Sequence, residues 1–447
     1  MTPVTRTPLD AWTAIKIGLP PSERLTPERL ARYQLDRLNQ TLAHAAGHSP
    51  FYQRLWKNQA IGPLAHLDQL NSVPFTTDDI LRRNPMQLLT VSQDEVARVV
   101  TLQTSGTTGD AKRIFFSEAD LAHTIDFFHH GMATLVRPGQ RVLILLPGEL
   151  PDSVGALLRK ALARMDVTGI VHGPVQDPAR TIQAIIDHKI EALVGIPVQV
   201  LALARHPDAT RIPAGMLQSV LLSTDYVPIA IVDAIRASLR CAVFQHYGMT
   251  EMGYGGGVAC AAHRGYHMRE ADLLFEIIDP ITGNPVGDGH PGEVVFTTLT
   301  RRAMPLIRYR TGDLAVWIDE PCPCGSCLRL MGWVQGRRRE RIRLADGVAL
   351  DLRCLDEALF ALPGVIDFQV ALRRTDEGDH LHVTLFTTCS DDRTQSRATE
   401  ALARIPAIRA ARANGVLGLA PVQIERGFRP IGTTAKRKII YQRSCKE

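Results

Sequence analysis

No stretch of the 447 residues approaches the ~18 consecutive apolar residues of a membrane-spanning helix. The opening MTPVTRTPLDAW also lacks the apolar core of a secretory signal. The expectation is a cytoplasmic protein with no membrane partner. An excess of either charge sign is nearly missing too. Lys and Arg number 51 against 46 Asp and Glu, a net +5. So small a surplus allows a modest attraction to small anions and argues against a nucleic-acid partner. Internal repeats and low-complexity segments are absent. Cysteine is sparse, with eight in the chain. Cys241, Cys354, Cys389 and Cys445 are scattered, whereas Cys322, Cys324 and Cys327 crowd into PCPCGSC. In a cytosolic chain such crowding points to metal rather than disulfides.

What is present fits a soluble globular protein: 45% hydrophobic and 22% charged residues. The length predicts two or three domains. Residues 26–60 carry Leu, Tyr and Ala at helical spacing, broken at Ser49-Pro50, and predict two helices. VARVVTL predicts a strand, and 119–136 a helix. Short apolar runs then alternate with helical stretches: RVLILLP, VTGIVHG, ALVGIP and SVLLST. That alternation predicts an α/β architecture with largely parallel sheet. Beyond about residue 255, LLFEIID, GEVVFTTL and LIRYRTGDLAVWI predict antiparallel strands joined by Pro/Gly/Asn turns. From residue 336 a hairpin, helices and strands predict a small α+β unit of roughly 110 residues, large enough for its own core.

One loop stands out. TLQTSGTTGDAKR (101–113) joins hydroxyls and glycines to Lys112. Small residues let backbone amides approach an anion, and a lysine adds charge; together they suit a polyphosphate. The P-loop pattern GxxxxGK[ST] cannot be laid over GTTGDAK. Taken alone, the stretch also reads as an ordinary polar loop. HYGMTE (246–251) brings Tyr247, Gly248, Thr250 and Glu251 together. The ring can stack on a base and the carboxylate can hold Mg²⁺. YRTGDL (309–314) sets Asp313 after a glycine, where a carboxylate can accept the hydroxyls of a ribose. GTTAKRK (432–438) supplies Lys436 near the end of the chain. The plainer readings are a turn carboxylate for Asp313 and a solvated basic tail for Lys436.

TSGTTGDAK, YGMTE, YRTGD, Gly336-Arg337 and the late lysine occur in one order. In this the chain resembles the adenylate-forming superfamily of acyl- and aryl-CoA ligases and adenylation domains. Within it, the likeness is to the phenylacetate–CoA ligase family. It extends over nearly the whole chain, through LNQTLAHAAGHSPFYQRLW, SVPFTTDDILRRNP and FTTLTRRAMPLIRYRTGDL. The resemblance implies an ATP- and acyl-binding domain over residues 1–335, with mixed sheets and a small antiparallel region. A small mobile α+β lid follows over 336–447. It implies an ATP-dependent reaction in which a carboxylic acid, most naturally an aromatic one, is adenylated and passed to CoA. Transfer to an amine, a carrier-protein thiol or a cofactor hydroxyl is the alternative; a non-catalytic nucleotide-binding scaffold is the rival of another class. Ser105, Thr107, Thr108 and Lys112 would handle the β- and γ-phosphates. Tyr247 and Gly248 would lie at adenine, Thr250 at the α-phosphate and Glu251 on Mg²⁺. Asp313 would hold the ribose, Arg337 would contact ribose or phosphate near a hinge, and Lys436 would bridge the attacking carboxylate and the nucleotide. Relatives are often dimers, so a homodimer is the matching expectation. The chain departs from the pattern at Ala111, Ala435 and Arg338–Glu340, and LLSTDYVP replaces a Gly-Gly-Glu turn beside adenine.

Some phenylacetate–CoA ligase relatives hold a structural zinc with a Cys…His pair and a CPC pair. By that match Cys260, His267, Cys322 and Cys324 are the expected Zn²⁺ ligands, with His263 and Cys327 as spare candidates. Free thiols on loops are the alternative. Phe127 and Phe128, in DFFHHGM, read as core residues of a helix or as the wall of an acyl pocket.

Overall fold

A computed structural model describes residues 6–57, 59, 61–102, 111–337, 341–344, 347–375, 378–388, 393–430 and 437–443. The chain forms two compact units. The first comprises Met1–Gln140, Pro147–Val171 and Phe244–Val334, and the second Arg141–Leu146, His172–Val243 and Gln335–Glu447.

In the first unit, the break predicted at Ser49-Pro50 separates helices Pro27–His48 and Pro50–Leu55. The Ser49 hydroxyl accepts from the Tyr52 amide at 3.4 Å, and proline occupies the first position of each helix, where no amide is needed. Helix Glu118–Met132 starts in a reciprocal cap between Ser117 and Asp120. Its Phe127 and Phe128 are both buried, which makes it a core helix. Strands Arg98–Leu102 and Lys112–Phe116 pair antiparallel, Leu102 opposite Lys112, across the polar loop. Lys112 therefore opens a strand; a strand whose partner lies ten residues away leaves no local mark on that lysine. Leu273–Ile278, Gly292–Thr298 and Tyr309–Ala315 form the expected antiparallel sheet. A second antiparallel set runs from Tyr247 through Gly257–Ala259, Tyr266–Met268 and Leu330–Met331 to Trp317–Ile318.

In the second unit, Arg141–Ile144, Ala192–Gly195 and Ser219–Leu222 pair parallel. Helix Pro197–Ala204 is buried along its whole length, consistent with its uniformly apolar sequence. The C-terminal segment holds helix Leu352–Phe360 and a mixed sheet. Val365–Thr375 pairs antiparallel with Gly378–Thr387 and parallel with Ile439–Arg443. Two charged side chains, Glu357 and Arg205, tie helix Leu352–Phe360 to the 172–243 segment of this unit. Glu357 accepts the Tyr226 hydroxyl at 2.6 Å and the Ile229 and Ala230 amides at 3.0 and 3.3 Å. Those amides open helix Ile229–Leu239, where a carboxylate meets both unsatisfied donors and the positive end of the helix dipole. In the opposite sense, Arg205 donates to the Phe360 carbonyl at 2.7 Å and to the Val365 carbonyl, next to the end of helix Leu352–Phe360. Ala202, Ile366, Phe386 and Phe428 add an apolar contact beside these.

Candidate active site

The YGMTE turn leaves the strand Ala242–Tyr247 and closes within a few residues. A Cβ on Gly248 would sit 2.4 Å from the Tyr254 carbonyl, so only glycine fits there. At Gly255 a Cβ would meet the Phe127 ring at 2.3 Å. The short helical turn Thr250–Met252 presents Glu251 inward, 4% exposed. Arg301 fixes its main chain: the guanidinium donates to the Glu251 carbonyl at 2.7 Å and lies 4.7 Å from the Phe116 ring.

The Glu251 carboxylate meets Lys112 and accepts from the Tyr309 hydroxyl at 3.2 Å. Lys112 also donates to Asp78 Oδ1 at 2.6 Å, and Arg82 holds Asp78 Oδ2 at 2.7 Å. Burial would push the Asp78 carboxyl up, but Lys112 and Arg82 outweigh it and hold it at about 2. Lys112 is likewise desolvated, yet Glu251 and Asp78 raise it, so it stays charged. Burial, then Glu251 and Asp78, push the Tyr309 hydroxyl far up, leaving it a neutral donor. The cluster is a lysine seated between two carboxylates, close to charge balance. A polyanion bringing its own cation would displace that lysine onto phosphate oxygens and leave the carboxylates for the cation.

Asp313 lies on strand Tyr309–Ala315, where Thr311, Gly312 and Asp313 oppose Val294 alone. This bulge needs Gly312 at φ +77° and turns Asp313 inward, 3% exposed. The Tyr247 hydroxyl donates to Asp313 Oδ2 at 3.0 Å. The first unit thus brings Lys112 to Glu251 and Tyr247 to Asp313, with Gly248 and Thr250 on the turn between Tyr247 and Glu251. Arg337, partly buried and following Gly336 at φ +103°, belongs to the second unit. Ser105, Thr107, Thr108 and Lys436 lie outside the described residues. Four participants were not assigned from the sequence: Asp78, Arg82, Arg301 and Tyr309. All four stand in the stretches that carried the resemblance, but no local pattern says that they converge.

A second cluster lies in the same unit. Cys260 follows strand Gly257–Ala259, His267 is in strand Tyr266–Met268, and Cys322 and Cys324 stand on the loop before Leu330–Met331. Their four ligand atoms fall within 4.8 Å of one another, and all four residues are buried. Cys260 Sγ and Cys322 Sγ are 3.5 Å apart, and Cys324 Sγ is 3.2 Å from His267 Nε2. The Cys324 thiol is drawn down to about 3, first by the hydrogen bond with Cys260 and, against burial, by His267. Cys327 turns elsewhere, to Asp10 and the Leu25 carbonyl, while the His263 ring packs on Phe244. Asp10 further accepts the Ser326 hydroxyl at 2.6 Å, so the cysteine loop is tied to helix Pro8–Lys16.

A lysine seated between two carboxylates, a buried glutamate on a tight turn and an inward aspartate on a bulged strand sit in the α/β fold of an adenylate-forming enzyme. The family model of AMP-binding enzymes matches residues 53–299. The chain belongs to that family, and within it to the phenylacetate–CoA ligase group. It is 32% identical over 370 residues to a phenylacetate-coenzyme A ligase of Thermus thermophilus, covering 79% of this chain and 81% of the relative. It is 28% identical to one of Pseudomonas putida, covering 83% and 85%. Among solved structures, 2-hydroxyisobutyryl-CoA ligase in the postadenylation state, in complex with 2-HIB-AMP, shares the fold with a TM-score of 0.79. That match is at 21% identity over 95% of this chain and 94% of that one.

Proposed function

We infer that this chain is an ATP-dependent acid–CoA ligase acting on an aromatic carboxylic acid. The observation that carries the reading is the seating of Lys112 against Glu251 in a chain of this family. In the first half-reaction the ionised acid attacks the α-phosphorus. A phosphorus–oxygen bond forms as the bond to pyrophosphate breaks, giving acyl-AMP. In the second, the CoA thiolate attacks the acyl carbon and AMP leaves. No general base is needed to activate a carboxylate already charged; the barrier is repulsion between anions and charge building at phosphorus. Lys112, with Ser105, Thr107 and Thr108, binds the β- and γ-phosphates. Thr250 contacts the α-phosphate, Tyr247 and Gly248 meet adenine, Asp313 holds the ribose, and Arg337 contacts ribose or phosphate. Glu251 would hold Mg²⁺, which when bound neutralises charge on the phosphates. Lys436, on a C-terminal domain of residues 336–447 that serves as a mobile lid, bridges acid and nucleotide. The names of the relatives support an aryl acid.

Cys260, His267, Cys322 and Cys324 fit a structural Zn²⁺. Three thiols and an imidazole form a soft tetrahedral set, and Zn–S bonds of about 2.3 Å imply sulfur separations of about 3.8 Å. The observed 3.5 Å between Cys260 and Cys322 is close to that. Such an ion would fasten two loops and take no part in the chemistry.

The test is acid-dependent ATP–pyrophosphate exchange over a panel of aryl and alkyl acids, followed by CoA-dependent release of AMP. Exchange with aryl acids and thioester formation are expected, and Lys436→Ala abolishes exchange while ATP still binds. No exchange with any acid overturns the reading. Full exchange in the lysine variant removes Lys436 from its role.

A further inference from the structure

We propose that Arg437 is a positioning residue for adenylation, anchoring the main chain one peptide bond from Lys436. This rests on the role given to Lys436 above. Arg437 is an unexpected residue to find inside a protein at the tail end of its chain: its side chain is only 12% exposed. It forms an ion pair with Asp356, a carboxylate 3% exposed, on helix Leu352–Phe360. Its guanidinium lies 4.7 Å from the ring of Phe360, one turn further along the same helix, and 4.8 Å from that of Phe368 on strand Val365–Thr375. The two rings are 5.1 Å apart, so the niche is walled by aromatics and floored by an acid. Desolvation strengthens both the cation–π contacts and the ion pair.

The surrounding chain gives this niche its purpose. On the far side of Arg437, Ile439–Arg443 is held in register against Val370–Arg374. Upstream, Arg429 pairs with buried Asp367 at 3.6 Å and lies 5.0 Å from the Phe386 ring. Two arginines thus fasten the two ends of the segment that contains Lys436, each to a buried aspartate and an aromatic ring. Adenylation needs an ammonium delivered to one point between acid and phosphate, and a misplacement near 1 Å costs up to about 100-fold in rate. A buried anchor next to the lysine supplies that precision. It makes no contribution to thioester formation, which starts after the lysine has acted.

The experiment uses the full chain carrying Arg437→Met, Arg437→Lys, Lys436→Ala, and Lys436→Ala with Arg437→Met. Pyrophosphate exchange reads the first half-reaction, and CoA thioester formation from supplied acyl-adenylate reads the second. We expect R437M to lower kcat of exchange about 30-fold, with KM for ATP and the second half-reaction held within about twofold. R437K recovers most of the loss, because the charge beside Asp356 returns. The double variant is no slower than K436A alone, since an anchor without its lysine has nothing to position. Exchange at the wild-type rate in R437M, with K436A inactive, overturns this inference alone. Equal loss of both half-reactions in R437M also overturns it and marks a merely structural residue. If K436A exchanges normally, the role of the lysine falls and the inference with it. Should R437M fold poorly, Asp356→Asn is read by the same criteria.

Discussion

Asp272, 2% exposed, gathers cations from distant parts of the chain. Lys16 reaches its two oxygens at 2.7 and 2.9 Å, Arg269 meets Oδ2 alone through Nη2 and Nε at 2.6 and 2.7 Å, and the Thr300 hydroxyl donates to Oδ1 at 2.9 Å. Burial pushes its carboxyl up, but Arg269 and Lys16 outweigh that and hold it far below the usual range. Asp272→Asn would strand two buried cations and is expected to destabilise the fold by about 3–5 kcal/mol in urea unfolding. A loss below about 1 kcal/mol would assign the site to the weak surface class. His246 offers a test by pH. It lies 6.3 Å from Phe127 and from Phe128, and burial, followed by Arg269, pushes its imidazole down to about 4. Between an unfolded value of 6.5 and about 4 the unfolded chain binds a proton that the folded ring refuses. Stability from this group is therefore complete above 6.5 and falls as pH drops through that window. Melting temperature followed against pH should show a shallower acid slope in His246→Gln than in the wild type; equal slopes would acquit His246. Lys112, Tyr247, Glu251 and Asp313 could be picked out as candidates because their neighbours spell short motifs. Asp78, Asp272 and Arg301 could not, because their partners lie 34, 256 and 50 residues away.

Elements repeat this lesson. Helix Pro27–His48 and its successor announce themselves through Ser49-Pro50, because a cap and a proline act locally. The strands Trp317–Ile318 and Leu330–Met331, two residues each, are too short to show alternation, and the loop between them was visible only through its cysteines. The bulge at Thr311–Asp313 reads in sequence as a turn, since a glycine at positive φ serves both. The prediction at this scale concerns the metal. Protein prepared without chelator should carry one zinc per chain by elemental analysis. Stripping it should lower the unfolding midpoint by several degrees, because the ligands are assembled only in the fold and binding energy becomes folding energy. Metal-free protein with an unshifted midpoint would leave four buried thiol and imidazole groups without that role.

At the scale of the molecule, sequence texture separates an α/β region, an antiparallel region and a C-terminal α+β segment. The compact units instead gather Arg141–Leu146 and His172–Val243 with Gln335–Glu447. Arg141–Ile144 joins by parallel pairing with Ala192–Gly195, and the C-terminal segment is tied on by Glu357 on the opening amides of helix Ile229–Leu239 and by Arg205 on the Phe360 carbonyl. These last pairings span well over a hundred residues and have no signature in composition. They also set an order of events in the cell. Ala230 is translated 127 residues before the Glu357 that meets its amide. At ordinary elongation speeds that is a wait of about 6–25 s on the ribosome. Throughout it, the start of that helix has only water for company, and the nascent chain exposes a half-built unit to whatever chaperone attends the exit tunnel.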